Sequence, residues 1–235
     1  MAAALALVNT ACSSTRTGTA STAVLPDPAA TALAAAVDIH ATGCRTTDVR
    51  GAGALIAGSF ILTAAHVVSG AVSITVRPAT PGADAVAARL VAIDPVHDLA
   101  LLDVDPNELA QLRPLDVGAG AAAGAGDTGV AVLFRDDAAV VVPYTIAKPV
   151  IVRILDIHHE NTVSRPGYEV DIAIAAGDSG AVMVATDGHA IGVLYAKSRE
   201  AGARAFAGDT GAVNALVAAA SGVDAAVGID TGECV

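Results

Sequence analysis

The chain contains no tryptophan, and only 3% of its 235 residues are aromatic, so its core has to be built from aliphatic and alanine side chains. Lysine and arginine number 13 against 24 acidic residues, and no basic block occurs. Because nonspecific nucleic-acid binding requires clustered positive charge, nucleic acid is not expected as a partner. No run reaches the roughly 18 apolar residues that a membrane-spanning helix needs. A soluble or tethered protein with a sizeable core is therefore predicted.

Cysteine is scarce, and its three positions carry information about the cellular compartment. Cys12 follows a short apolar run and precedes a Ser/Thr/Gly tract, which is similar to a bacterial lipoprotein signal whose cysteine is lipidated; an ordinary export signal is the alternative. Residues 1–35 are thus predicted to be an export or lipoprotein-like signal and a flexible linker. The protein is expected to be extracytoplasmic, either secreted or lipid-anchored at the membrane surface. With Cys12 removed or lipidated, Cys44 and Cys234 remain as an even pair and are predicted to form a disulfide.

Strand signals dominate the rest of the chain. Short apolar or alternating runs separated by turn residues predict two groups of six strands: 37–42, 52–57, 60–64, 71–77, 86–93 and 99–104, then 129–134, 139–145, 149–157, 168–174, 181–186 and 190–197. A Gly/Ala-rich stretch at 116–129 separates the groups, and the tail from Gly208 has a helical pattern. An all-β fold of two antiparallel six-stranded barrels, 36–116 and 117–235, with a C-terminal helix is therefore predicted.

Three polar residues stand out in this apolar background: His66 in "TAAHVV", Asp98 in "HDLALL" and Ser179 in "GDSG". A serine hydroxyl becomes a nucleophile when imidazole removes its proton, and a carboxylate fixes the imidazole tautomer. The N–H groups of Gly177 and Ser179 would stabilise the developing oxyanion. Each residue alone has an ordinary explanation, as a core histidine, a capping or exposed aspartate, or a turn serine. Together, in the order His, Asp, Ser, they predict a catalytic triad at the cleft between the barrels.

The motifs "LTAAHVV", "DLALL" and "GDSG" resemble those of the trypsin/chymotrypsin-like serine proteases, in their bacterial exported, high-temperature-requirement branch. The resemblance covers about residues 36–220 and implies a double β-barrel and endopeptidase activity through an acyl-enzyme. The chain departs from the family's usual "GDSGGP", because Ala181 and Val182 follow Gly180. No extension like the family's C-terminal PDZ domain follows residue 220, so peptide-activated oligomer switching is not expected.

The resemblance also implies a primary substrate pocket lined by Ala173, Ala176, Tyr195 and Lys197. The base position, Ala173, is apolar, so small or medium apolar residues are expected there rather than Arg or Lys; Lys197 leaves an acidic preference open. In the family, the aspartate before the serine needs a cationic partner. For Asp178, the lone charge Arg153 in "VIVRILDI" is the predicted one.

Two other functions compete with the peptidase. An α/β-hydrolase orders its triad Ser, Asp, His, and only His189 follows Ser179, so that class fails. A protease-like domain retained only for binding remains as the alternative. Neither a metal nor another cofactor is expected: the adjacent His158 and His159 would point to opposite faces of a strand, and a solvated loop is the simpler interpretation of that segment. The expected partners are protein or peptide substrates.

Overall fold

The computed structural model describes residues 27–44, 46–56, 60–118, 123–198, 203–224 and 227–234. Cys12 and most of the predicted signal lie outside these residues. Two closed six-stranded barrels dominate the fold, which confirms the predicted class. Within the described residues no helix is long and apolar enough to cross a membrane.

The first barrel is built from antiparallel pairs and closes in the order β1-β2-β3-β6-β5-β4. Its strands are β1 (Ala36–Thr42), β2 (Val49–Ile56), β3 (Phe60–Thr63), β4 (Ser73–Pro78), β5 (Val86–Asp94) and β6 (Leu99–Asp103). One short helix, α2 (Ala65–Val68), follows β3 directly. The interior is filled by aliphatic and alanine side chains, as the composition predicts.

The second barrel closes in the order β10-β11-β12-β9-β8-β7. Its strands are β7 (Thr128–Arg135), β8 (Ala138–Leu155), β9 (Thr162–Asp171), β10 (Val182–Ala185), β11 (Ala190–Lys197) and β12 (Arg204–Asp209). The two strands predicted at 139–145 and 149–157 are wrong as separate elements. They form the single strand β8, because a register shift between Ile146 and Lys148 absorbs the irregularity before Pro149. The sixth strand is instead β12, which the sequence analysis did not predict.

Two terminal helices pack across the molecule, each on the barrel more distant in sequence. Helix α1 (Pro28–Ala35) begins at the N-cap Asp27, whose side chain accepts the Ala29 N–H at 3.0 Å, and it packs on strands of the second barrel. The linker expected up to residue 35 is therefore helical over its last eight residues. Helix α3 (Val213–Ala220), the predicted C-terminal helix, packs on β5 and β6 of the first barrel. Both helices share one apolar cluster with the two barrels, which fixes the cleft between them.

The C-terminal tail lies against the first barrel. Cys44 and Cys234 form the predicted disulfide, 190 residues apart in sequence. Backbone hydrogen bonds extend the contact, because Gly70 N–H donates to the Thr231 carbonyl at 2.8 Å. The Ser69 hydroxyl also donates to a tail carbonyl, that of Glu233, at 3.0 Å. The tail thereby braces the segment that follows the helix carrying His66.

Candidate active site

His66 lies in helix α2 at the end of β3 and faces the cleft. Its partner, Asp98, follows a tight turn between β5 and β6 in which the Asp94 carboxylate accepts the N–H groups of Val96 and His97 at 2.9 and 3.0 Å. Asp98 itself has a φ of +59°, in the left-handed region that aspartate tolerates better than most residues. Backbone strain of this kind is concentrated at functional sites, where the surrounding structure holds it.

The His66 and Asp98 side chains form a closely held pair. The imidazole Nδ1 lies 2.9 Å from Asp98 Oδ2 and 3.1 Å from Oδ1. Asp98 Oδ1 also accepts the backbone N–H of His66 at 2.9 Å. Because a carboxylate only accepts hydrogen bonds, Nδ1 must carry the proton, which leaves Nε2 free to act as a base. The carboxylate side chain is 5% exposed and the imidazole 30%, so only the imidazole reaches the cleft.

Ser179 is held by a tight turn between β9 and β10. The Asp178 N–H donates to the Ala175 carbonyl at 3.2 Å, and Gly177 has a φ of +95°, as a type II turn requires at its third position. The Ser179 carbonyl accepts the Ala52 N–H of β2 at 2.8 Å. The second-barrel serine is therefore fastened to the first barrel, close to the helix that carries His66.

Gly180 explains why the "GDSG" motif needs a glycine after the serine. Its φ is +89°, and a Cβ there would collide with the Ala52 carbonyl oxygen and the Thr63 hydroxyl. These two atoms are themselves hydrogen-bonded at 2.7 Å and are fixed in the first barrel. Only glycine allows this close approach of the two barrels at the site.

The Ser179 hydroxyl makes no hydrogen bond to another residue in the part of the chain that the structure describes. Contacts between nucleophile and base are often long in sites without substrate and shorten when substrate binds. Likewise, neither the Gly177 nor the Ser179 N–H donates to a described backbone carbonyl. Both N–H groups lie on the same turn and are therefore available to donate hydrogen bonds to a ligand.

The cationic partner of Asp178 is Arg135, not the predicted Arg153. The Asp178 carboxylate is fully buried and accepts hydrogen bonds from both terminal guanidinium nitrogens of Arg135, at the end of β7. It also accepts the Ala175 N–H at 2.6 Å. Hydrogen bonding to this carboxylate raises the pKa of Arg135 above its ordinary value. Arg153 lies on the exposed face of strand β8, where it pairs in register with Ser164 of β9.

Of the four predicted pocket residues, the structure brings one beside the His–Asp pair. Tyr195 lines a cavity of about 250 Å³ with His66 and Asp98. Ala176 lines another cavity, of about 240 Å³, together with Gly177 on the serine turn. Ala173 and Lys197 are exposed and line neither of these cavities.

Sequence reasoning missed the buried arginine of the cavity beside the His–Asp pair. Arg165 of β9 is 2% exposed and its Nη1 lies 3.5 Å from Asp98 Oδ2. The sequence signal, a single arginine in "VSRPG", did not distinguish it from a solvated strand residue. His159, in the turn interpreted as a solvated loop, is exposed as expected and also lines this cavity. Within the described ranges no group of three or more His, Cys, Asp or Glu side chains could hold a metal ion.

The two closed six-stranded barrels form the fold of the chymotrypsin-like serine peptidases, with the His66–Asp98 pair on the first barrel and the Ser179 turn on the second. The family model described as "Trypsin-like peptidase domain" matches residues 51–193, and the chain belongs to this family. It is a trypsin-like serine endopeptidase, which confirms the resemblance inferred from the three motifs.

Solved structures with this fold include proteases from several bacteria. The active form of the Rv3671c protease from M. tuberculosis matches with a TM-score of 0.77 and 24% identity, over 98% of this chain and 100% of that one. The HtrA-type protease AlgW with a tripeptide matches with a TM-score of 0.65 and 23% identity, over 78% and 58%. The serine endoprotease from Yersinia pestis matches with a TM-score of 0.64 and 20% identity, over 82% and 65%. No curated protein matches the chain.

Proposed function

We propose that the chain hydrolyses peptide bonds with Ser179 as nucleophile, His66 as general base and then acid, and Asp98 as the residue that orients His66. The proposal rests on two hydrogen bonds from His66 to the Asp98 carboxylate. His66 Nδ1 lies 2.9 Å from Oδ2, and the His66 backbone N–H donates to Oδ1 at 2.9 Å. This hold directs Nε2 away from the carboxylate and towards the cleft. It also provides a negative charge for the imidazolium that forms during the reaction.

In the first half of the reaction, Ser179 Oγ attacks the carbonyl carbon of the substrate, and its proton passes to His66 Nε2. The carbonyl oxygen becomes an oxyanion that accepts hydrogen bonds from the Gly177 and Ser179 N–H groups. When the C–N bond breaks, the imidazolium gives its proton to the leaving amine, and an ester joins Ser179 to the acyl half. Water, deprotonated by His66, then attacks this ester and regenerates the serine.

The proposed substrates are proteins or peptides, and the pocket residues support a preference for small or medium apolar side chains. AlgW, a structural relative, has been solved with a tripeptide and with a decapeptide. In this chain the proposed pocket base, Ala173, offers no carboxylate to an Arg or Lys side chain. Ala176 and Lys197 would complete its walls.

We also propose that the protein is exported. The Cys44–Cys234 disulfide supports this, because thiols are kept reduced in the cytosol of most bacteria. Lipidation at Cys12 is part of the same proposal. Cell fractionation of the wild type and of Cys12→Ala tests it: the wild type should be extracytoplasmic, and loss of membrane association in the variant alone would identify the anchor. Recovery of the wild type in the cytosol would contradict export.

A fluorophosphonate probe tests the catalytic assignment, because it reacts only with an activated serine beside a formed oxyanion hole. The wild type should be labelled at Ser179, and Ser179→Ala and His66→Ala should each lose peptide hydrolysis by roughly 10⁴-fold or more. Ser73→Ala, which changes an exposed serine of β4, is the matched control and should behave as wild type. A folded wild type that is neither labelled nor active would favour the binding-only alternative.

A further inference from the structure

Arg165 is a buried cation at the point where the second barrel contacts the triad carboxylate of the first. Its side chain is 3% exposed, which is rare for arginine. The Nε–H donates to the Val96 carbonyl at 3.1 Å, and Nη1 lies 3.5 Å from Asp98 Oδ2. The guanidinium also stacks over the Tyr195 ring, 4.6 Å from its centroid. Nε, Nη1 and one face of the guanidinium therefore each contact a different neighbour in or next to the candidate active site.

These contacts act on the orientation of Asp98. The Val96 carbonyl belongs to the turn that holds Asp98 at its left-handed φ, so Arg165 fastens this turn to strand β9. His66 contacts both carboxylate oxygens, and Arg165 approaches Oδ2 from the opposite barrel. The carboxylate is thus held from two sides. Among the residues that the structure describes, Arg165 is the only permanently charged cation paired with Asp98, so its removal would leave the carboxylate with His66 alone as an ion-pair partner there.

The charges around the His66–Asp98 pair come from several elements. Arg165 lies on β9 and Tyr195 on β11, while Asp156 and His159 lie in the turn between β8 and β9 and line the same cavity. Burial raises the pKa of the Tyr195 hydroxyl, Arg165 opposes this rise and Asp98 adds to it. The tyrosine therefore stays neutral at working pH, and within the described part of the chain Arg165 is the arginine within ion-pair distance of the Asp98 carboxylate.

We infer that Arg165 is a positioning residue of the peptidase, which acts through Asp98 to hold His66 in its productive orientation and protonation state. The inference rests on the proposed function of Ser179, His66 and Asp98. Because its side chain is almost fully buried, Arg165 contributes to turnover rather than to substrate binding.

Arg165→Met tests this role, since methionine keeps much of the aliphatic volume and removes the charge. We expect kcat to fall by about 10–100-fold with KM near its wild-type value, because small misplacements of a catalytic group cost up to about 10²-fold. The acid limb of the pH–kcat/KM profile should move to higher pH, since loss of a nearby positive charge favours the imidazolium form of His66. Arg165→Lys should restore the acid limb and part of kcat. Arg153→Met, an exposed arginine on the neighbouring strand, is the matched control.

The outcomes separate this inference from the proposed function. If the wild type is not labelled by a fluorophosphonate, the peptidase assignment itself is wrong. If the wild type is labelled and folded Arg165→Met keeps the wild-type kcat and pH profile, the positioning role is refuted, whatever happens to its melting temperature. Should Arg165→Met fail to fold, Arg165→Lys decides: reduced kcat at unchanged KM supports the role, and wild-type kcat overturns it.

Discussion

The ion pair between Arg135 and Asp178 should control both stability and the shape of the serine turn, and Arg135→Met is the perturbation that tests it. The Asp178 carboxylate is completely buried, so in the variant a buried charge would lose its cationic partner. Removal of one member of a buried pair costs about 3–5 kcal/mol. The Arg135 side chain is 37% exposed, and the Ala175 N–H still contacts the carboxylate, so the lower end of this range, about 3 kcal/mol, is expected.

The same substitution should reduce catalysis, because Asp178 lies between the two proposed oxyanion donors. The carboxylate anchors the turn through the Ala175 N–H, and the loss of its ion pair would let the turn relax away from the geometry that Gly177 defines. Loss of one oxyanion donor lowers kcat by about 10²–10³-fold, and a fall of that order is expected here.

Urea unfolding and steady-state kinetics measure the two effects, with Arg153→Met as the control. Arg153 is exposed and has no ion pair among the described residues, so its substitution should change the unfolding free energy by less than about 0.5 kcal/mol. Wild-type stability and wild-type kcat in Arg135→Met would refute the reasoning. An equal loss in both variants would show that the effect belongs to arginine content rather than to this pair.

The remaining predictions concern specificity and acid stability. A positional-scanning peptide library should show small or medium apolar residues at the position that enters the pocket based on Ala173, and a strong Arg or Lys preference would contradict this. Glu169 accepts hydrogen bonds from Lys148 at 2.9 Å and from Arg204 at 2.6 Å, which hold its pKa below the ordinary 4.5. A carboxyl group with a lowered pKa stabilises the fold at pH values above its ordinary pKa, and this stabilisation is lost as the pH falls through the lowered pKa. Glu169→Gln should therefore lower the melting temperature slightly at pH 7 and not at pH 3. An equal loss at both pH values would point to packing instead.

The sequence predicts a triad because each of the three proposed residues lies in a short stretch whose chemistry is local, and the structure brings His66 and Asp98 of this set into contact. His66, Asp98 and Ser179 stand in apolar or glycine-rich surroundings, where a polar side chain needs a reason. The barrels could be predicted too, since period-two patterns and turn residues are also local signals. The Asp187–Gly188 turn, for example, joins β10 and β11 as its sequence indicates.

The partners of the two carboxylates could not be predicted, because they depend on contacts between distant strands. Arg165 meets Asp98 across 67 positions, and Arg135 meets Asp178 across 43. On composition Arg153 is equally suitable, since it is also a lone arginine in an apolar run. Arg153 differs from the other two arginines because it lies on an exposed part of β8, beyond the bulge near Lys148. The sequence pattern does not show this bulge, which lets β8 continue to Leu155.

Side-chain direction on β11 shows the same limit at the substrate side. Alternation along a regular strand would give Tyr195 and Lys197 the same face. A register shift between Leu194 and Ala196 interrupts the pairing with β12, and Tyr195 is buried against Arg165 while Lys197 is exposed. Tyr195, which was predicted for the substrate pocket, therefore stacks with the arginine that lies beside Asp98.

The departure from the family's serine motif, Ala181 and Val182 in place of Gly and Pro, lies beyond the turn that holds Ser179. Both side chains are buried, at 0% and 4% exposure, and face apolar clusters rather than the cleft. The strict requirement lies one residue earlier, at Gly180, where a Cβ would collide with the Ala52 carbonyl. Because the chain keeps Gly180 and the positive φ of Gly177, the close approach of the two barrels at this turn is preserved, and Ala181 and Val182 pack into the core.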